Sequence, residues 1–126
     1  MRDQIDAIWP AVEKQVNRVL DRFDFGYNAD HVYKRLMSQE MQLWLCNGEA
    51  VAVTEIIMMP NFKVLAVPIV AGKGMKVWLP DLVGTLQQFG RQHDCKYMEG
   101  YGRKGWVKAL AFGGFKEYSV NTRCEL

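Results

Sequence analysis

The chain has 126 residues, 49% of them hydrophobic and 24% charged, and its formal net charge is +2. That length suits one domain with its own core, and the charge is too small for the basic footprint of a nucleic-acid binder. Its three cysteines, Cys46, Cys95 and Cys124, are odd in number and fit no zinc spacing, which argues against a disulfide framework and predicts reduced, mostly buried thiols in a cytosolic protein.

Ile5, Ile8, Val12, Val16, Val19 and Phe23 recur at helical spacing and predict one amphipathic helix. Pro10 lies inside it, so either an early turn kinks there or the main helix starts near it. Asn28 or Asp30 caps a second helix reaching about Ser38, with Val32, Leu36 and Met37 inward. Residues 41–46, MQLWLC, read as a strand, Asn47-Gly48 as a hairpin turn, and residues 49–58 as the return strand. Residues 62–70 form a third strand, in which Pro68 implies an edge, a bulge or an interrupted ladder.

Residues 71–74, AGKG, make a loop before a helix over 75–93 with Val77, Trp78, Leu82, Leu86 and Phe89 on its apolar face. A strand over 96–101, a short helix over 104–112 stopped by Gly113-Gly114, and a last strand over 116–124 complete the chain. The expected organisation is one domain over 1–126: N-terminal helices in 1–38, antiparallel strands in 41–70 and an αβαβ part in 75–126. The fold class is α/β or α+β, a mixed and mostly antiparallel sheet flanked by helices, with a parallel strand–helix–strand crossover.

His31 and His93 have no metal-ligand partner at a recognisable spacing, so no metal is expected. Ser38 and Ser119 lack a nucleophile elbow. Gly100, Gly102 and Gly105 match the letters of a dinucleotide fingerprint without its long βαβ unit. The charged N-terminus argues against a signal peptide, and no run nears the ~20 apolar residues of a membrane span.

The element order, together with Gln42-Leu43-Trp44, Thr54-Glu55-Ile56, Pro60 with Lys63 and Leu65, the Gly72 loop with Trp78, and Gly102-Arg103-Lys104-Gly105-Trp106, resembles the GNAT fold of acetyl-CoA-dependent N-acyltransferases. It looks most like the small GNAT-like proteins of tailed bacteriophages, and the resemblance covers residues 28 to 125. It implies acetyl-CoA or coenzyme A as cofactor, no membrane partner and a host-cytoplasmic or virion-associated location. Its pyrophosphate loop falls on Val70, Gly72, Lys73, Gly74, Met75 and Lys76. Half of that signature is missing, because the family's usual arginine falls at Ala71 and its last glycine at Lys76. A plain strand-to-helix connection is the competing reading.

The family's splay between two parallel strands maps to Ala66–Val70 and Tyr97–Tyr101, with Val67 and Ile69 as cofactor-contacting residues. The family's usual tyrosine acid falls at Leu110, which cannot donate a proton, leaving Tyr101 or Tyr118 to stand in. Glu55 is the expected general base, with Glu99 next. Arg103, at the head of the short helix, offers a guanidinium fork to an anion or pairs with an acidic neighbour. Two functions fit the resemblance. One is an N-acyltransferase. The other is a catalytically silent phage protein that binds a virion component, a host factor or a second copy through Trp9, Phe25, Tyr27 and Tyr33, read as exposed.

Overall fold

The computed structural model describes residues 2–22, 24–46, 50–101 and 105–126. The expected Asn47-Gly48 turn, Phe23 and Arg103 therefore lie outside the described residues. The order is α1 (Arg2–Leu20), α2 (Ala29–Met37), β1 (Met41–Cys46), β2 (Ala50–Met58), β3 (Lys63–Ala71), α3 (Met75–Gln92), β4 (Cys95–Gly100), α4 (Gly105–Ala109) and a 3-10 turn over Ala111–Gly113. The four strands form one sheet in the order β1-β2-β3-β4. The first three are antiparallel, and β4 joins β3 in parallel through the α3 crossover.

Pro10 does not start α1. The helix begins at Arg2 and runs through the proline, which deprives the Asp6 carbonyl of its usual donor. Burial of the apolar stripe outweighs that loss: Val12 and Val16 are sealed in one core with Val32 and Leu36 of α2 and Val51, Val53 and Ile69 of the sheet. At α2 the cap is Asn28, whose side chain accepts from the His31 N–H at 3.1 Å.

A second core fills the other face of the sheet. Trp78, Leu79, Leu82, Val83 and Leu86 of α3 pack there on Ala50, Ala52 and Leu65, joined at the margin by Trp106, Leu110 and Phe115. Trp106 is thus partly buried, packed against that core from α4.

Several expectations need correction. Val77 is 72% exposed rather than inward on α3, and of the three thiols only Cys46 is buried, with Cys124 exposed. Residues 116–124 form no strand; they are exposed and carry no ladder. The reason is where the ends are held. Phe115 is packed in the α3-side core, while the Arg123 guanidinium donates to the Asp24 carbonyl at 2.7 Å, just beyond α1. Held at Phe115 and again at Arg123, the segment pairs with no strand among the described residues. With Tyr118 and Val120 exposed, it also has no buried face to set a register. The N-terminal aromatics, in turn, are half-buried and pair among themselves: Trp9 with Tyr33 at 5.1 Å between ring centroids, and Phe25 stacked on Tyr27 at 5.9 Å.

Candidate functional site

The site begins with an irregularity at Pro68. Val53 pairs with Ile69 and Glu55 with Ala66, so Thr54 alone faces two residues, Val67 and Pro68. This is a β-bulge, and it accommodates a residue that cannot donate to the ladder. A buried hydroxyl supports it from β2. Thr54 is fully buried; it accepts from Trp44 Nε1 at 2.9 Å and donates to Gln42 Oε1 at 2.8 Å.

The β3–β4 ladder runs from Lys63↔Cys95 to Val67↔Gly100 and stops there. The expected opening at Ala66 is corrected by this register: Ala66 still pairs with Glu99, and the strands part only from Pro68 onward. On that side no strand among the described residues pairs with Ile69, Val70 or Ala71, although β2 pairs all three from the other side. Ile69 is fully buried toward α1 and Ala71 is 7% exposed, so of the three residues that β4 leaves unpaired only Val70 is partly accessible.

β3 leads directly into the glycine corner, where the two glycines have different duties. Gly72, at φ +138°, lies against Ala50 so closely that a Cβ would come within 2.3 Å of the Ala50 Cβ. Packing demands it. Gly74, at φ +73°, caps α3 in the left-handed conformation, and a Cβ there would meet nothing within 4 Å. Open space therefore faces the N-terminus of α3, whose first N–H groups have no side-chain cap. Trp78 steadies the corner by donating its indole N–H to the Lys73 carbonyl at 2.7 Å. Lys73 and Lys76 are exposed and enter no ion pair among the described residues, whereas Met75 is half-buried against the α3-side core. Ala71 is 7% exposed and paired with Val51, so the position that matches the family's arginine has no room for one.

A polar group lies on the α1–α2 face. Glu55 alternates with Val51 and Val53 and so points toward α2, where Arg35 Nη2 meets its Oε1 at 2.5 Å. Burial raises the Tyr27 phenol above its ordinary 10.0, Glu55 pushes the same way, Arg35 opposes, and Tyr101 adds a smaller push. Burial likewise raises Tyr101, followed by Glu99 and Glu55. Tyr27, Arg35, Glu55, Glu99 and Tyr101 are thus one electrostatic group, and Tyr101 directly follows the end of β4.

Glu55 and Glu99 flank Ala66 from β2 and β4, and both act electrostatically on Tyr101. Tyr118 does not join them: it is 87% exposed, and no hydrogen bond or ring contact among the described residues ties it to the group. Leu110 is packed against the α3-side core. Sequence reasoning missed Arg35 and misread Tyr27 as an exposed aromatic. The only local hint for Arg35 was a glutamate five residues on, at Glu40. Among the described residues, no cluster of three or more His, Cys, Asp or Glu could hold a metal ion, and no helix is long and apolar enough to cross a membrane.

No family model and no curated protein matches the chain. Solved structures do. A probable acetyltransferase superposes with a TM-score of 0.67 at 14% identity, covering 98% of this chain and 91% of that one. An acetyltransferase of Trypanosoma brucei gives 0.62 at 10% identity, over 90% and 94% of the two chains. An aminoglycoside acetyltransferase from an uncultured soil metagenomic sample, in complex with trehalose, gives 0.63 at 13% identity, over 89% and 86%. At such identities the likeness is one of fold. The chain has the α+β acetyltransferase fold, with a mixed sheet between helices, as the GNAT resemblance implied.

Proposed function

We propose that the chain is an acetyl-CoA-dependent N-acyltransferase. The observation that carries the reading is the parting of β3 from β4 after Val67↔Gly100, at the head of a glycine corner whose Gly74 faces open space. The backbone groups of Ile69–Ala71 that β4 leaves unpaired, with Val70 the partly exposed residue among them, suit an extended amide-bearing arm. Gly74, Met75 and Lys76 at the head of α3, with the Lys73 and Lys76 ammonium groups, suit a pyrophosphate. Val67 and Val70 side chains form the apolar wall of that edge on the α3 face. Bound there, acetyl-CoA would supply an activated acyl thioester. Glu55 would take the proton of the acceptor amine, and Tyr101, whose environment favours its protonated form, would be the proton donor at the mouth of the opening. Arg103 is assigned to the anion side of the site on sequence grounds alone.

The test is a thermal shift with coenzyme A. At a concentration 100 times the dissociation constant, binding stabilises by about 2.7 kcal/mol. Gly74→Glu, which fills the open space with a like charge, is expected to abolish the shift. A wild-type chain indifferent to millimolar coenzyme A would favour the second reading, a silent GNAT-fold protein of a tailed phage that serves as a virion part or host-factor binder. That reading draws support from Leu110, partly buried against the α3-side core where the family places its acid.

A further inference from the structure

The C-terminal end of α2 is more elaborate than the end of a nine-residue helix requires. Ser38 is the cap. Gln39 follows at φ +66°, a left-handed conformation ordinarily left to glycine. The Gln39 N–H donates to the Leu36 carbonyl at 3.2 Å, and the Glu40 N–H donates to the Arg35 carbonyl at 2.9 Å. These two bonds define a Schellman motif. In that motif the residue after the left-handed one folds back on the third residue from the end, usually through an apolar contact. Here the two residues are Glu40 and Arg35, and the contact is ionic, with Arg35 Nη2 at 3.4 Å from Glu40 Oε2. The Ser38 hydroxyl, 2.8 Å from Glu40 Oε1 and 3.1 Å from the Arg35 carbonyl, holds the glutamate in turn.

The same Arg35 nitrogen reaches across to β2 and meets Glu55 Oε1 at 2.5 Å. Both side chains are largely buried, 26% and 21% exposed, so solvent screens this contact less than the outer one, where Glu40 is 60% exposed. No other hydrogen bond among the described residues reaches the Glu55 carboxylate, so one oxygen is held and the other is left for a ligand. We infer that Arg35 is a positioning residue, braced by the Ser38–Gln39–Glu40 turn, that locks the Glu55 side chain in one rotamer with Oε2 turned to the acceptor. The inference rests on the reading of Glu55 as the base, and it adds a named device that the turn at 38–40 is built to serve. It also explains why a glutamine tolerates a left-handed backbone there: the fold-back brings Glu40 onto Arg35.

The experiment reads the Glu55 rotamer directly, from three-bond scalar couplings in the folded, ligand-free chain. In the wild type the couplings are expected to be those of one staggered rotamer. In Arg35→Gln they are expected to collapse toward rotamer-averaged values, with partial return in Arg35→Lys, which restores the charge without the fork. Glu40→Gln, at an exposed position, is expected to keep the fold and loosen Glu55 to a smaller degree. Unchanged Glu55 couplings in Arg35→Gln overturn the inference, as does averaging already present in the wild type. Absence of a coenzyme A shift would remove the base role of Glu55 without altering these couplings, so the two failures are distinguishable.

Discussion

Thr54 is the buried polar residue on which the bulge depends, and its hydroxyl is engaged both as acceptor and as donor. Thr54→Val keeps the shape but strands the Trp44 N–H and the Gln42 amide oxygen, so it is expected to cost about 1–3 kcal/mol in urea denaturation. Gln39 has the opposite potential. Its left-handed backbone carries a steric cost of roughly 1–2 kcal/mol that glycine would not bear. Gln39→Gly is expected to raise stability by up to about 1 kcal/mol after its own entropy cost, and a loss of stability would mean that the glutamine side chain supports the turn. Neither residue's role was legible in the chain alone. Thr54 is in the chain only one letter of Thr54-Glu55-Ile56, because what buries it and meets its hydroxyl comes from neighbouring strands. The Arg35–Glu55 pair spans twenty positions, a separation at which no local pattern operates.

At the scale of elements, local signals served well where one periodicity governed. The stripe of α1, the Asn28-or-Asp30 cap and the strand–turn–strand reading of 41–58 predicted α1, α2 and the antiparallel pair β1 and β2 that the structure contains. Pro68 marked the interrupted ladder for a sound reason, since a missing N–H must be accommodated by a bulge or an edge. The failure at 116–124 has a physical cause too: the residues of a segment can permit a strand, but they do not say whether a partner exists. The glycine corner shows how two equal letters diverge. Gly72→Ala forces a Cβ into the Ala50 backbone, with its Cα at 2.5 Å, and is expected to cost more than about 2 kcal/mol or to prevent folding. Gly74→Ala meets only the left-handed penalty, roughly 1–2 kcal/mol, and is expected to remain folded. Equal losses at the two positions would contradict this division of duties.

For the whole molecule, the ionisable groups make a coherent statement about alkaline pH. Burial raises the Cys46 and Cys95 thiols above 9.0, and burial leads the causes that raise Tyr27 and Tyr101 above 10.0. In each case the folded chain favours the protonated form more than the unfolded chain does. Their stabilisation is therefore complete below the unfolded values and is lost as pH rises through the folded ones. Stability measured by denaturant is expected to be insensitive to these groups near neutrality and to fall above about pH 9, with the tyrosines adding to the fall above about pH 10. Tyr27→Phe is expected to flatten the upper part of that fall. A curve of unchanged steepness would show that the Tyr27 phenol titrates alike in both states.

The central claim concerns the backbone that β4 leaves unpaired. It is tested most directly by following amide resonances of the intact chain as coenzyme A is added. The account predicts saturable shifts at Ile69, Val70 and Ala71 and at Gly74, Met75 and Lys76, with the α1 amides unmoved. Saturable shifts confined to other elements, or none at millimolar ligand, would contradict it.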